Sequence, residues 1–116
     1  MMITIFVSDV NKVNIVFEKL RISKMEMPGL CKYRDRIEIT SEHRDLIRIC
    51  VPNDNCRGMR HNYVFIDKDV NEEHINHIIL PKILPIFTAF GHLNLERDHE
   101  FINVDTWNGE FYRKFK

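Results

Sequence analysis

The stretch "RGMRHNYVFIDKDVNEEHI", Arg57 to Ile75, decides the fold. Its centre, "NYVFID" over Asn62–Asp67, sets Tyr63, Val64, Phe65 and Ile66 in an unbroken apolar row before a carboxylate. Such a row, rich in β-branched and aromatic residues, predicts a strand covered on both faces, as inside a parallel sheet. A helix is expected directly after it. Asp69 and Glu72 stand three apart, as in a capping box, and Ile75, Ile78 and Ile79 follow at helical spacing up to Pro81. Asp67 thus falls at the carboxyl end of a strand, the end that borders the ligand crevice in open α/β sheets.

Outward from this stretch the same grammar repeats. "ITIFV", Ile3–Val7, is a second buried-type strand. Ser8 or Asp9 offers an N-cap, and Val10, Val13, Phe17 and Leu20 then form an apolar stripe, with Lys12, Glu18, Lys19 and Arg21 expected outward. That helix is predicted to end near Arg21–Ser23, before "MPGL" breaks the chain. In "DRIEITSEHRDLIRICV", the runs Arg36–Thr40 and Leu46–Val51 flank a turn at Ser41–Arg44, which predicts a β-hairpin. "PNDNCRGMR" has the composition of a loop. "KILPIFTAFG" is expected to continue as a helical segment interrupted at Pro85; "EFINVDTW" holds a short strand, and "NG" turns the chain into "EFYRKF". The order strand, helix, hairpin, strand, helix, strand predicts one α/β domain over residues 1–116. Its sheet is small and mostly parallel, with flanking helices and a hairpin insertion.

Composition narrows the function classes. The chain has 116 residues, 44% of them hydrophobic, which argues against disorder. Its 17 basic and 17 acidic residues cancel, so no global charge draws it to nucleic acid or an anionic membrane. Cys31, Cys50 and Cys56 form no CxxC pair, and three is an odd number, so reduced thiols in the cytoplasm are expected. No signal peptide and no membrane-spanning run is read in the sequence.

The candidate crevice residues are Asp67, Lys68 and Asp69. A carboxylate at Asp67 could hold a metal-bound water beside a phosphate; as part of the scaffold, it would bond a loop. Asp69 and Glu72 read first as helix caps. With Asp67 and Glu73 they could also gather as the divalent-metal site of a nuclease. Arg57 and Arg60, with His61, precede the strand and could contact a phosphate, or else form a solvated loop. His74 and His77 share a helix face but lack a third zinc ligand at a diagnostic spacing. The tail "YRKFK" mixes basic and aromatic residues, suited to a nucleic-acid or protein contact; Phe111 and Phe115 could equally pack while Arg113 and Lys114 face water.

"CRGMRHNYVFIDKDV" resembles the segment around the Walker B strand of phage DNA-packaging ATPases, the terminase large subunits, in which an Arg-Gly pair precedes a strand ending in Asp-Glu. "ITIFVSDVNKVNIVFEKL" resembles an earlier strand and helix of that core, "DRIEITSEHRDLIRIC" the intervening hairpin, and "INVDTWNGEFYRKF" the later coupling segment. Together they cover most of the chain, in the family's order. The resemblance implies a partial RecA-like, P-loop ATPase core. The family's Asp maps onto Asp67, and Lys68 stands where its catalytic Glu would follow. No G-x-x-x-x-G-K-[ST] occurs, so no loop cradles phosphates and no lysine reaches the γ-phosphate.

The sequence therefore leads to a non-catalytic phage protein with no catalytic residues and no cofactor. It is expected to act in the host cytoplasm by binding a protein partner, in DNA packaging or in blocking a host enzyme, or by self-association through an exposed sheet edge. Two alternatives stand beside it: a metal-dependent nuclease or phosphoryl-transfer enzyme centred on Asp67, and a nucleotide- or nucleic-acid-binding module without turnover.

Overall fold

The computed structural model describes residues 2–22, 26–41, 44–53, 56, 60–80, 86–87, 93–94 and 99–109, with backbone alone at 86–87 and 93–94. Strands run over Met2–Phe6 (β1), Gly29–Lys32 (β2), Arg36–Thr40 (β3), Leu46–Cys50 (β4), Tyr63–Asp67 (β5), Ile86–Phe87 (β6), Leu93–Asn94 (β7) and His99–Ile102 (β8). The helices are α1, Val10–Ile22, and α2, Glu72–His74, which widens into a π-helical turn over Ile75–Ile79.

Six strands form one sheet in the order β2-β3-β4-β1-β5-β8, and β6 pairs with β7 as a separate two-stranded ribbon. The pairings β4–β1, β1–β5 and β5–β8 are parallel, whereas β2–β3 and β3–β4 are antiparallel. The architecture is mixed α/β with a mostly parallel sheet. All five residues of β5 are buried, as an apolar row between two covered faces requires.

The register separates the two faces. Ile3 lies opposite Ile47 and Tyr63, and Ile5 opposite Ile49 and Phe65. These residues pack with Val13, Val16, Phe17 and Leu20 of α1 and with Val104. Each such fully buried aliphatic or aromatic side chain contributes roughly 1.5–3 kcal/mol, so this face is the chief source of cohesion. On the other face Phe6 lies beside Cys50 and Ile66, and packs with Val64, Val70, Ile78 and Ile79. The two helical segments therefore cover opposite faces of the sheet.

Four expectations need correction. Val10, the first residue of the predicted stripe, is about half exposed, and Val16 takes its place in the core. The chain after Pro28 does not merely break; Gly29–Lys32 adds an edge strand against β3. A residue's Cβ at Gly29 would stand 2.9 Å from Thr40 Cβ, so glycine there permits the close pairing. Asp69 and Glu72 do not cap the second helix. Asn71 does, its Oδ1 accepting from the Glu73 N–H at 2.8 Å, because Asp69 is drawn to a lysine described below. Finally, Ile86–Phe87 is strand rather than helix; the rest of the predicted segment at 81–85 and 88–91 lies outside the described residues.

Candidate functional site

β1 leads through α1, on one face, toward the β2–β4 side of the sheet. β5 leads through α2 and the π-helical turn, on the other face, toward β8. The connections from two adjacent parallel strands thus diverge in direction and in face. The carboxyl ends of β1 and β5 form a topological switch point, the place where open α/β sheets open a crevice. Asp67 stands at that point, as its position at the end of "YVFID" predicts.

The structure fills the crevice with a lysine from the neighbouring helix. The Lys12 Nζ donates to Asp67 Oδ2 at 2.7 Å and to Asp69 Oδ2 at 2.6 Å. The other Asp67 oxygen, Oδ1, accepts the Val104 backbone N–H at 3.0 Å. The Asp67 side chain is wholly buried, while Asp69 is about half exposed. Lys12 arrives because Asp9 caps α1, its Oδ1 accepting the Lys12 N–H at 3.0 Å and fixing the first turn beside β5. The hydrogen bonds from Asp67, then Asp69, hold the Lys12 ammonium well above its ordinary lysine pKa against the opposing cost of burial. The same Lys12 contact pulls Asp69 below the usual carboxylate range. Lys12 is therefore a fixed cation and cannot serve as a general base.

The turn after β8 completes the crevice wall. Trp107 N–H donates to the Asn103 carbonyl at 2.9 Å, and the Lys19 ammonium donates to the carbonyls of Val104 and Asp105. The sequence placed Lys12 and Lys19 outward with Glu18 and Arg21. Only Glu18 and Arg21 are there, paired at 2.6 Å on the exposed side of α1. Lysine stems are long enough to lie along an apolar surface and turn the ammonium inward. No spacing rule in the sequence signals this.

Of the other candidates, Lys68 is exposed and its backbone N–H extends the β5–β8 ladder by donating to Ile102 O at 2.9 Å. Arg60 is exposed, and its carbonyl accepts from the Arg48 guanidinium. Arg57 lies outside the described residues, as do Phe111, Arg113, Lys114 and Phe115. Among the described residues no three His, Cys, Asp or Glu side chains converge as a metal site, so Asp67, Asp69, Glu72 and Glu73 do not cluster and His74 and His77 gain no third ligand. No helix among the described residues is long and apolar enough to cross a membrane.

A second polar group lies inside the other face and was not anticipated. Thr4, Arg48 and His61 are all buried, and Thr4 and Arg48 are register partners. The Thr4 hydroxyl is 2.6 Å from His61 Nδ1, and Arg48 Nη2 is 3.4 Å from the same nitrogen. A guanidinium has no acceptor, so Nδ1 must be the acceptor and the ring proton resides on Nε2. Burial, with Arg48 beside it, lowers the His61 pKa to about 4, keeping the ring neutral. Burial likewise pulls Arg48 below the usual guanidinium value. The signal was present in "LIRIC": a charge at the centre of an apolar strand must point into the core or break the strand's burial.

Comparison with protein-family models, with curated proteins and with solved structures returned no match.

Proposed function

We propose that this chain is a non-catalytic protein-binding domain, built on a partial RecA-like ATPase core of the terminase type and acting in phage DNA packaging or in blocking a host enzyme. One observation carries the non-catalytic half: both oxygens of Asp67 are engaged inside the fold, one by the Val104 N–H and one by the Lys12 ammonium. A divalent cation would have to displace a lysine already neutralised by two carboxylates. The resemblance around "YVFID" supplies the core's type, and the missing phosphate loop fits a crevice whose buried carboxylate is already held by Lys12 and the Val104 N–H.

The binding half rests on β8. It ends the sheet, and no strand among the described residues pairs with its outer side. An edge of this kind accepts an extended segment of another protein, with backbone hydrogen bonds giving affinity and side-chain contacts specificity. Phe101 on β8 is 58% exposed, an apolar anchor for that segment. The partner's strand is the occupant proposed. Tagged protein recovered from infected host cells is expected to retain one stoichiometric partner, to lose it in Phe101→Lys, and to keep it in Ile22→Lys, a change at an exposed apolar residue of α1. Equal recovery with Phe101→Lys contradicts docking at β8. Magnesium- or manganese-dependent cleavage of nucleotide or nucleic acid by the wild type, lost in Asp67→Asn, contradicts the non-catalytic half.

A further inference from the structure

The β2–β3 hairpin carries chemistry that neither the crevice nor β8 uses. Its tip is "KYRDR", Lys32–Arg36, in which three residues are basic and one is acidic. The tip is a closed turn, the Tyr33 N–H donating to the Arg36 carbonyl at 2.8 Å and extending the β2–β3 ladder. The Arg36 guanidinium lies over the Tyr33 ring, 4.3 Å from its centroid. Arg36 is itself held: its Nε donates to Glu38 Oε1 at 3.1 Å, and Asp35 Oδ1 lies 3.8 Å from its Nη1. Asp35 also accepts from Asn53 Nδ2 at 3.3 Å. Both acidic side chains of the hairpin are thus engaged, and the Tyr33 ring, fixed by Arg36, remains 48% exposed.

The residues on either side of Tyr33 are in a different state. Lys32 and Arg34 are exposed, and no carboxylate among the described residues pairs with either. The Lys32 Nζ lies 4.6 Å from the centroid of the Phe17 ring of α1, an uncharged partner that leaves its charge uncompensated.

We propose that this hairpin tip binds single-stranded nucleic acid, with a base stacked on Tyr33 and neighbouring phosphates at Lys32 and Arg34. A single strand presents planar bases and phosphate charges in alternation. The tip presents a flat ring with a cation before and after it in the chain, and base–aromatic stacking tolerates any base. The Arg36 charge is met by Glu38 and Asp35, so its part is to position the ring. It fixes the ring's plane before a ligand arrives, and less side-chain freedom is lost on binding. A duplex keeps its bases stacked on one another and offers the ring no free face. An acidic peptide satisfies the two cations but gives the ring no planar partner. Because the chain's net charge is zero, the attraction is local, and the affinity rests on the ring as much as on the cations. β2 and β8 stand at opposite ends of the strand order, so this site does not depend on docking at β8.

The test is fluorescence anisotropy of a labelled oligothymidylate of about twelve nucleotides, titrated with the full chain between about 50 and 200 mM salt. The wild type is expected to bind, with an affinity that falls as salt rises. Tyr33→Leu, apolar but not planar, is expected to weaken binding about tenfold or more, and Tyr33→Phe, which keeps the ring, to recover it. Arg34→Gln is expected to lower the slope of log affinity against log salt by about 0.7, the change for one phosphate contact on a single strand. Ile15→Ala, at an exposed residue of α1, is expected to bind as the wild type does. No binding by the wild type at the lowest salt overturns the proposal, and that result needs no variant to fold. It is overturned equally by wild-type affinity in Tyr33→Leu, by a duplex bound as tightly as the single strand, or by polyglutamate competing as well as the oligonucleotide.

Discussion

His61 shows how one buried side chain writes a pH dependence into the fold. Its folded pKa, about 4, lies below the ordinary 6.5, so between these values the unfolded chain binds a proton that the folded chain does not. The stability this neutral ring contributes is complete above pH 6.5 and is lost as pH falls toward 4. The shift corresponds to roughly 3 kcal/mol over that window. Urea unfolding at pH 7.5 and pH 4.5 is expected to show most of that loss, and His61→Gln to remove it. A wild-type chain equally stable at both pH values would mean that His61 titrates normally and is not sealed beside Arg48. Such a residue is hidden in the sequence, because "RGMRH" has the composition of a solvated loop. Only the fold shows that the loop's last residue turns under Arg48.

Among the elements, those built from apolar periodicity were legible. "ITIFV", "YVFID" and the 36–51 hairpin became β1, β5 and the β3–β4 pair within a residue at each end, because unbroken or alternating apolar runs have few other ways to be buried. The second helix was legible in position but not in cap. Asp69 has the right type for a cap, yet Lys12, distant in sequence, offers it a charge-assisted bond. β2 was missed because Gly29–Lys32 is an edge strand with three exposed residues, and exposed edges carry no burial pattern. The turn expected at "NG" leads into residues outside those described, but Gly109 itself has a structural role. Gly109 has φ +82°, and a Cβ there would stand 2.7 Å from the Lys19 carbonyl oxygen of α1. Gly109→Ala must both strain the backbone and push the turn off α1, an expected cost of about 1–3 kcal/mol. Thermal unfolding checks this directly. A change under about 0.5 kcal/mol would place this turn away from the helix.

At the scale of the whole molecule, the doubly covered sheet creates a crevice between β1 and β5 and then closes it with Lys12. Asp67 was legible from its place at the end of an apolar row, whereas Lys12 was not, since its partner lies 55 residues away. That pairing ties α1 to β5, and through the Val104 N–H it ties both to the turn after β8. The crevice is thereby a joint of the fold, and among the described residues β8 ends the sheet beside it. Because the Asp67 carboxylate is buried, removing its cation leaves a charge without compensation, a loss of about 3 kcal/mol. The most direct measurement is the unfolding free energy of wild type, Lys12→Met, Asp67→Asn and the double variant. The expected result is strong coupling: Lys12→Met costs about 3 kcal/mol in the wild type and less than about 1 kcal/mol once Asp67 is Asn. Additive effects, with Lys12→Met costing the same in both backgrounds, would contradict the claim that Lys12 and Asp67 close this crevice as one structural unit.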